Sequence, residues 1–173
     1  ILAEATEGGA EVFKLNYFGK QATLSDTTQF YKQILAGSLE RVFEIAPTYR
    51  AEPEITNRHM SEFITIDAEI AFIEGLQDLK VFIASLINYI FQEVWKECES
   101  KLRGLEATRP LLKEKLPEVT LEELHRLYLR EKGKDLSRNV EPTPEEEVFI
   151  SEYSAEHWGS EAVFITEFPA SGM

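Results

Sequence analysis

Two stretches of alternating sequence, "RVFEIAPTYR" at 41–50 and "ITIDAEIAF" at 64–72, constrain this chain more than any other feature. Between them runs "YRAEPEITNRHMSEF", residues 49–63, which packs two arginines, a histidine and three glutamates into fifteen residues. Successive strand side chains point to opposite faces, so parity sorts them. Phe43, Ile45, Pro47 and Tyr49 share one side of the first stretch; Ala46, Thr48, Arg50 and Glu52 share the other. In the second, Ile64, Ile66, Ala68 and Ile70 lie opposite Phe63, Thr65, Asp67 and Glu69. Antiparallel pairing then yields one aliphatic face and one that gathers Arg50, Glu52, Asp67 and Glu69 around Phe63.

A solvated outer face is one reading of that polar side, since antiparallel sheets often have one. Two features favour a ligand floor instead. Phe63 is large and apolar among charges, and Asp67 and Glu69 would repel unless a cation lay between them. A flat, negative, aromatic-bearing floor suits a ligand with a cationic amine and a stackable ring. An arginine at its edge suits a phosphate.

Elsewhere the elements are mixed. "EVFKLNYFGKQATLS" predicts a hairpin around Gly19-Lys20. In "DTTQFYKQILAGS", Asp26 with Gln29 resembles a capping pair, Phe30, Ile34 and Leu35 have helical spacing, and Gly37 is a natural stop. Leu79, Phe82, Ile83, Leu86, Ile90, Val94 and Cys98 predict an amphipathic helix over 76 to about 102. Thr120 with Glu123 opens a short helix to about Glu131, and Thr143-Pro144 opens another that stops at Gly159. "EAVFITEFP" predicts a buried strand ending at Pro169. Without regular βαβ alternation, these elements predict an α+β fold, an antiparallel sheet flanked by helices.

Bulk properties narrow the function. At 173 residues the chain has the size of one domain and can bury a core. A net charge of −13 argues against a general nucleic-acid or membrane-surface module, though not against one locally positive pocket. Cys98 is the single cysteine and falls on the apolar stripe, so a buried, inert thiol in a reducing compartment is expected. No run reaches the roughly 20 apolar residues of a membrane span. A cytoplasmic protein with no membrane partner is expected. The first residue is Ile1 rather than Met, which points to a fragment.

"FEIAPTYRAEPEITNRHMSEFITIDAEIAF" closely resembles motif 2 of the class II aminoacyl-tRNA synthetases, in the aspartyl/asparaginyl branch of archaeal and eukaryotic type. The "YRAE" strand, the "TNRHMSEF" loop exit and the "IDAE" strand stand in family order and spacing. "ATEGGAEVFKLNYFGKQATL" resembles that branch's mobile amino-acid loop and following hairpin, "QFYKQ" its substrate-side helix, and "VFITEFP" the strand leading toward its last motif. The similarity covers nearly the whole chain.

The resemblance implies adenylation: an aspartate carboxylate attacks the α-phosphate of ATP in line, pyrophosphate leaves, and the acyl group passes to tRNA. Positioning and charge stabilisation dominate such chemistry. By match, Arg50 would hold the α-phosphate and the substrate carboxylate. Glu52 would accept from the adenine amino group or order the loop, Arg58 with His59 would reach the outer phosphates, and Phe63 would stack on adenine. His59 reads equally as an exposed loop histidine. Lys32 matches the lysine that pairs with the aspartate side chain, a charge match that asparagine cannot offer, and asparagine enzymes usually lack it. Gln29 belongs to the same helix pattern. Glu7 in "TEGG" matches the loop carboxylate that closes on the substrate ammonium, and Asp67 the carboxylate beneath it. One departure stands out. The family usually reads "QSP" before the helix glutamine, and its first glutamine helps to bind the amino acid. Here the residues are Asp26, Thr27 and Thr28. Asp26 is either a further ammonium ligand or the helix cap.

The resemblance further implies a partial catalytic domain, with the motif 2 region at 41–73 and a helical insertion at about 103–160. The anticodon-binding domain, motif 1 and motif 3 are expected outside it, as are most ligands for Mg2+, so this chain alone is expected to be inactive. A homodimer is expected of the parent protein. Two alternatives remain beside an aspartate–tRNA ligase: a paralogue that amidates aspartate through the same adenylate, and a non-catalytic regulatory or partner-binding module.

Overall fold

The computed structural model describes residues 11–51 and 60–170. Its contacts divide into two units, residues 1–74 and 75–173.

In the first unit, β1 (Lys14–Tyr17) and β2 (Lys20–Thr23) form an antiparallel hairpin in which Tyr17 pairs with Lys20. The turn therefore falls on Phe18-Gly19, one residue before the predicted place. Both turn residues have positive φ, 50° and 79°, as a type I′ turn requires. Asn16 Oδ1 accepts from the Gly19 N–H at 2.8 Å. A phenylalanine in the left-handed region is strained, and Phe18 is almost fully exposed, so little packing compensates. Phe18→Asn is expected to stabilise this hairpin by about 1 kcal/mol, read as a rise in thermal midpoint.

Helix α1 (Gln29–Leu39) follows, then β3 (Arg41–Tyr49) and β4 (Glu62–Ile70). The two long strands pair antiparallel over their whole length, with Ile45 opposite Ile66 and Thr48 opposite Phe63. Helix α1 contacts both strands. The expected capping pair is not formed. Thr28 occupies the N-cap position, and its hydroxyl donates to the Glu44 carboxylate instead of capping the helix. Nor does Gly37 stop the helix, which continues to Leu39 and is closed by Glu40 at φ 66°, its N–H donating to the Ala36 carbonyl.

This unit is turned inside out relative to an ordinary amphipathic sheet and helix. The aliphatic face of β3 and β4 is exposed: Phe43 by 73 %, Ile64 by 74 %. On α1, Phe30, Ile34 and Leu35 are exposed too, while Lys32 and Ala36, one turn apart, are buried. The covered side of the strand pair is the polar one.

The second unit begins with the 29-residue helix α2 (Leu76–Gly104). Its apolar stripe is present but largely uncovered; Ala84 is the one buried residue among those described on it, and Cys98 is half-buried rather than buried. Lys80 Nζ meets Glu118 Oε2 at 2.7 Å, and the Asn88 amide donates to the Lys113 carbonyl at 3.0 Å, fastening α2 to the chain leading into β5 (Glu118–Thr120).

Helices α3 (Leu121–Lys132) and α4 (Pro144–Trp158) both open on complete capping boxes, Thr120 with Glu123 and Thr143 with Glu146. Both end on a left-handed glycine, Gly133 and Gly159. The final strand β6 (Phe164–Thr166) is short and half-buried, not the longer buried strand expected. It pairs parallel with β5, a departure from the antiparallel pattern elsewhere. Val119, Leu121, Leu124, Tyr128, Phe149 and Ile150 make the buried core, with the Tyr128 and Phe149 rings edge to face at 5.2 Å. The fold is α+β, with two antiparallel strand pairs, one short parallel pair, and helices beside them.

Candidate functional site

The register of β3 and β4 places Glu44 opposite Asp67, Val42 opposite Glu69 and Ala46 opposite Thr65 on the covered polar face. Like charges directly across a strand pair repel, and the segment above relieves both. Lys32, 4 % exposed, reaches down from α1 to ion-pair with Asp67. Thr27 Oγ1 donates to the same Asp67 oxygen at 3.0 Å, and Thr28 takes Glu44. Lys32 thus supplies a cation to Asp67.

The loop ahead of α1 is fixed by the backbone. Tyr49 N–H donates to the Ser25 carbonyl at 2.8 Å, and Gln29 N–H to Thr27 Oγ1 at 3.2 Å. A pocket of about 280 Å³ opens beside it, lined by Asp26, Thr27, Gln29, Thr48, Arg50, Thr65, Asp67 and Glu69. That volume lies at the small end for ligand sites. Arg50 continues the strand pairing through its N–H to the Ser61 carbonyl at 3.1 Å. Its Nε is buried without a hydrogen-bond partner among the described residues, and its guanidinium carbon lies 5.9 Å from the centre of the Phe63 ring. A guanidinium with a donor to spare beside an aromatic face fits a phosphate next to a stacked base.

Burial alone would raise the Asp67 carboxyl. The hydrogen bonds from Lys32 and Thr27, with the lysine charge, outweigh it and hold Asp67 below its ordinary value of 3.8. A carboxyl depressed by folding contributes stability above its unfolded value and loses it as pH falls through the folded one. Asp67→Asn is therefore expected to destabilise the protein at neutral pH. Its deficit against wild type should begin to shrink below pH 3.8 and close only beneath the depressed value, followed by thermal unfolding across that range.

Of the residues singled out from sequence, the structure brings Gln29, Arg50 and Asp67 to one pocket, with Lys32 on Asp67 and Phe63 against Arg50. Glu7, Glu52, Arg58 and His59 lie outside the described residues. Thr48, set on the polar face by parity, and Thr27, in the segment before Gln29, had no assigned role, and Glu44 escaped the sequence reading. Strand parity alone would have placed Glu44 with Asp67. Among the described residues no group of three or more His, Cys, Asp or Glu side chains is placed to hold a metal ion. None of the described helices is long and apolar enough to cross a membrane.

Residues 1–172 match the family model of the class II tRNA synthetases (D, K and N). The chain belongs to that family. Two curated relatives are named aspartate–tRNA(Asp/Asn) ligases. That of Saccharolobus solfataricus is 39 % identical over 98 % of this chain and 38 % of its own length. That of Thermus thermophilus is 34 % identical over 99 % of this chain and 40 % of its own length. The fold is similar, with a TM-score of 0.82 and 27 % identity, to the asparaginyl-tRNA synthetase of Pyrococcus horikoshii solved with asparaginyl-adenylate; the match covers 99 % of this chain and 39 % of that one. The chain thus spans about two fifths of the length of the synthetases it matches.

Proposed function

We propose that this chain is the substrate-gripping part of an aspartate–tRNA ligase, which activates aspartate with ATP and passes it to tRNA in the cytoplasm. The observation that carries the reading is Lys32: a lysine buried on the covered face of α1 and ion-paired with Asp67, a carboxylate that lines a small pocket. A pocket with a fixed cation and fixed carboxylates suits a ligand that bears both signs itself, as aspartate does. Arg50 lines the same pocket and stands beside the Phe63 ring, so a nucleotide phosphate and base would find a guanidinium and a ring there.

In this reading Lys32 leaves its pairing with Asp67 to take the aspartate side chain, and Asp67 turns to the ammonium. Arg50 draws the reacting carboxylate and the α-phosphate together and stabilises the charge that builds at phosphorus. Mg2+, when bound, would neutralise the outer phosphates of ATP. Gln29 borders the amino-acid end of the pocket. Glu7, Glu52, Arg58 and His59 keep the roles the family match implies, and the partner protomer of a homodimer is expected in the whole enzyme.

The resemblance to an asparaginyl enzyme in fold keeps asparagine as the competing substrate. ATP–pyrophosphate exchange by the full-length natural protein, with aspartate, asparagine and lysine compared, decides between them. Aspartate-dependent exchange that is lost in Lys32→Ala supports the reading; asparagine-dependent exchange, or none with any amino acid, rejects it.

A further inference from the structure

The hairpin of β1 and β2 carries at its tip a residue that its own stability disfavours. Phe18 lies in the left-handed region at φ 50°, is 92 % exposed, and meets the Tyr17 ring edge to face at 4.8 Å. Tyr17 is exposed as well. Asparagine or glycine would hold the same turn with less strain. Strain retained on an exposed ring points to a contact made outside the described residues. Exposure alone does not single the tip out, since Phe43 and Ile64 are exposed too; strain and flanking charge do. Between Glu11 and Asp26 the chain holds Lys14 and Lys20 and no acidic residue, in a protein of net charge −13. Both lysines are exposed and border a shallow groove of about 430 Å³ with Asn16, Gly19 and Gln21. The contact therefore calls for a partner with negative charge and flat, apolar faces.

The root of the hairpin supplies the position. Both legs are fastened to the end of β3 where Arg50 stands: the Ala51 N–H donates to the Glu11 carbonyl at 2.8 Å, and the Tyr49 N–H to the Ser25 carbonyl at 2.8 Å. Above that root the Leu24 N–H donates to the Phe13 carbonyl at 3.0 Å. The extended run from Glu11 to the turn is about 20 Å long, so the tip stands well clear of the pocket edge.

We propose that this tip is a docking surface for the single-stranded 3′ end of tRNA, with Phe18 and Tyr17 stacking on bases and Lys14 and Lys20 meeting phosphates. The proposal rests on the ligase reading above. A tRNA whose terminal ribose is charged beside Arg50 must lead its 3′ strand out past the pocket edge, where the hairpin is rooted. Ring faces combined with cations along the backbone are how single strands are gripped, because every base has a face to stack.

The test uses the full-length natural protein and an aspartate tRNA transcript, whole or cut back to remove its single-stranded 3′ end. Phe18→Asn suits the turn and keeps the hairpin folded. It is expected to weaken binding of the whole transcript about 10-fold and to raise the KM for tRNA in aminoacylation equally. Phe18→Trp, which keeps a ring, should bind like wild type. Aspartate-dependent pyrophosphate exchange, which precedes transfer to tRNA, should be unchanged in Phe18→Asn, and its thermal midpoint should hold or rise. Lys14→Ala combined with Lys20→Ala should flatten the slope of log affinity against log salt by about 1.4, two phosphate contacts on a single strand. On the shortened transcript every variant should bind like wild type. Unchanged binding of the whole transcript by Phe18→Asn, or an equal loss on the shortened one, would overturn the proposal. So would a fall in exchange or in thermal midpoint, which would mean that the ring packs against the rest of the polypeptide. A wild type without aspartate-dependent exchange removes the ligase reading, while transcript binding, which needs no amino acid, still decides the hairpin.

Discussion

Replacing Arg50 with alanine is expected to lower aspartate-dependent pyrophosphate exchange by about 10²- to 10³-fold, the usual cost of losing one donor to a developing transition-state charge. The expectation follows from how the side chain is held. Arg50 extends β3 beyond Tyr49, its backbone is fixed to Ser61, and its guanidinium stands by Phe63 with a buried Nε that no described residue pairs. A donor of that kind does not need to be reorganised as charge grows on phosphorus. The loss should appear mainly in kcat, since an interaction that strengthens in the transition state acts there. Arg50→Lys should recover little. An ammonium keeps the charge but lacks the planar fork and packs poorly against a ring. Single-turnover exchange with both variants checks the prediction, and near-wild-type kcat in Arg50→Ala would remove Arg50 from the chemistry.

The second large effect concerns stability in the other unit. Glu146 is fully buried, and its carboxylate has two engagements. Oε1 meets His125 Nδ1 at 2.7 Å, while Oε2 accepts from the Thr143 N–H at 2.9 Å and the Thr143 hydroxyl at 3.0 Å. The other ring nitrogen of His125 lies 3.2 Å from the Asn139 carbonyl. One side chain therefore caps α4, ties it to α3 and orders the connection between them. Glu146→Ala removes the cap and strands a buried histidine nitrogen, and is expected to cost about 3–5 kcal/mol. Glu146→Gln keeps the length and one acceptor oxygen, and should cost less. Native-state hydrogen exchange is the suitable probe, because it reads α3 and α4 without assuming that the whole chain unfolds in one step. Unchanged protection of both helices in Glu146→Ala would show that the junction is not coupled in this way.

The same Glu146 illustrates what sequence makes legible. Helix ends written in local chemistry were readable: Thr120 with Glu123, Thr143 before Pro144, and Gly159 mark α3 and α4 because capping groups and their partners lie within one turn. Strand parity was equally local, and it assembled Arg50, Asp67 and Glu69 on one face correctly. Tertiary partners were not readable. Asp26 followed by Gln29 has the form of a cap, yet Thr28 is drawn to Glu44 on another element and the helix starts later. The β5–β6 pairing joins two three-residue strands far apart in sequence, which no periodicity announces. Hydrophobic spacing on α1 and α2 correctly identified an apolar side, but spacing alone does not say whether anything covers it. Where the covered face carries the site, as on α1, the buried residue was the lysine.

The outward-facing aliphatic surface of β3 and β4 has a thermodynamic consequence. The heat capacity of unfolding measures how much apolar surface newly meets water, and polar surface counts against it. In the first unit much of the apolar surface, including Phe43, Ile45, Ile64 and Ile66, is already wet in the folded state, and what unfolding uncovers there is largely the polar floor of the pocket. Its stability curve should accordingly be flat, with a heat-capacity increment per residue well under the usual ~12–15 cal/mol/K and a shallow response to denaturant.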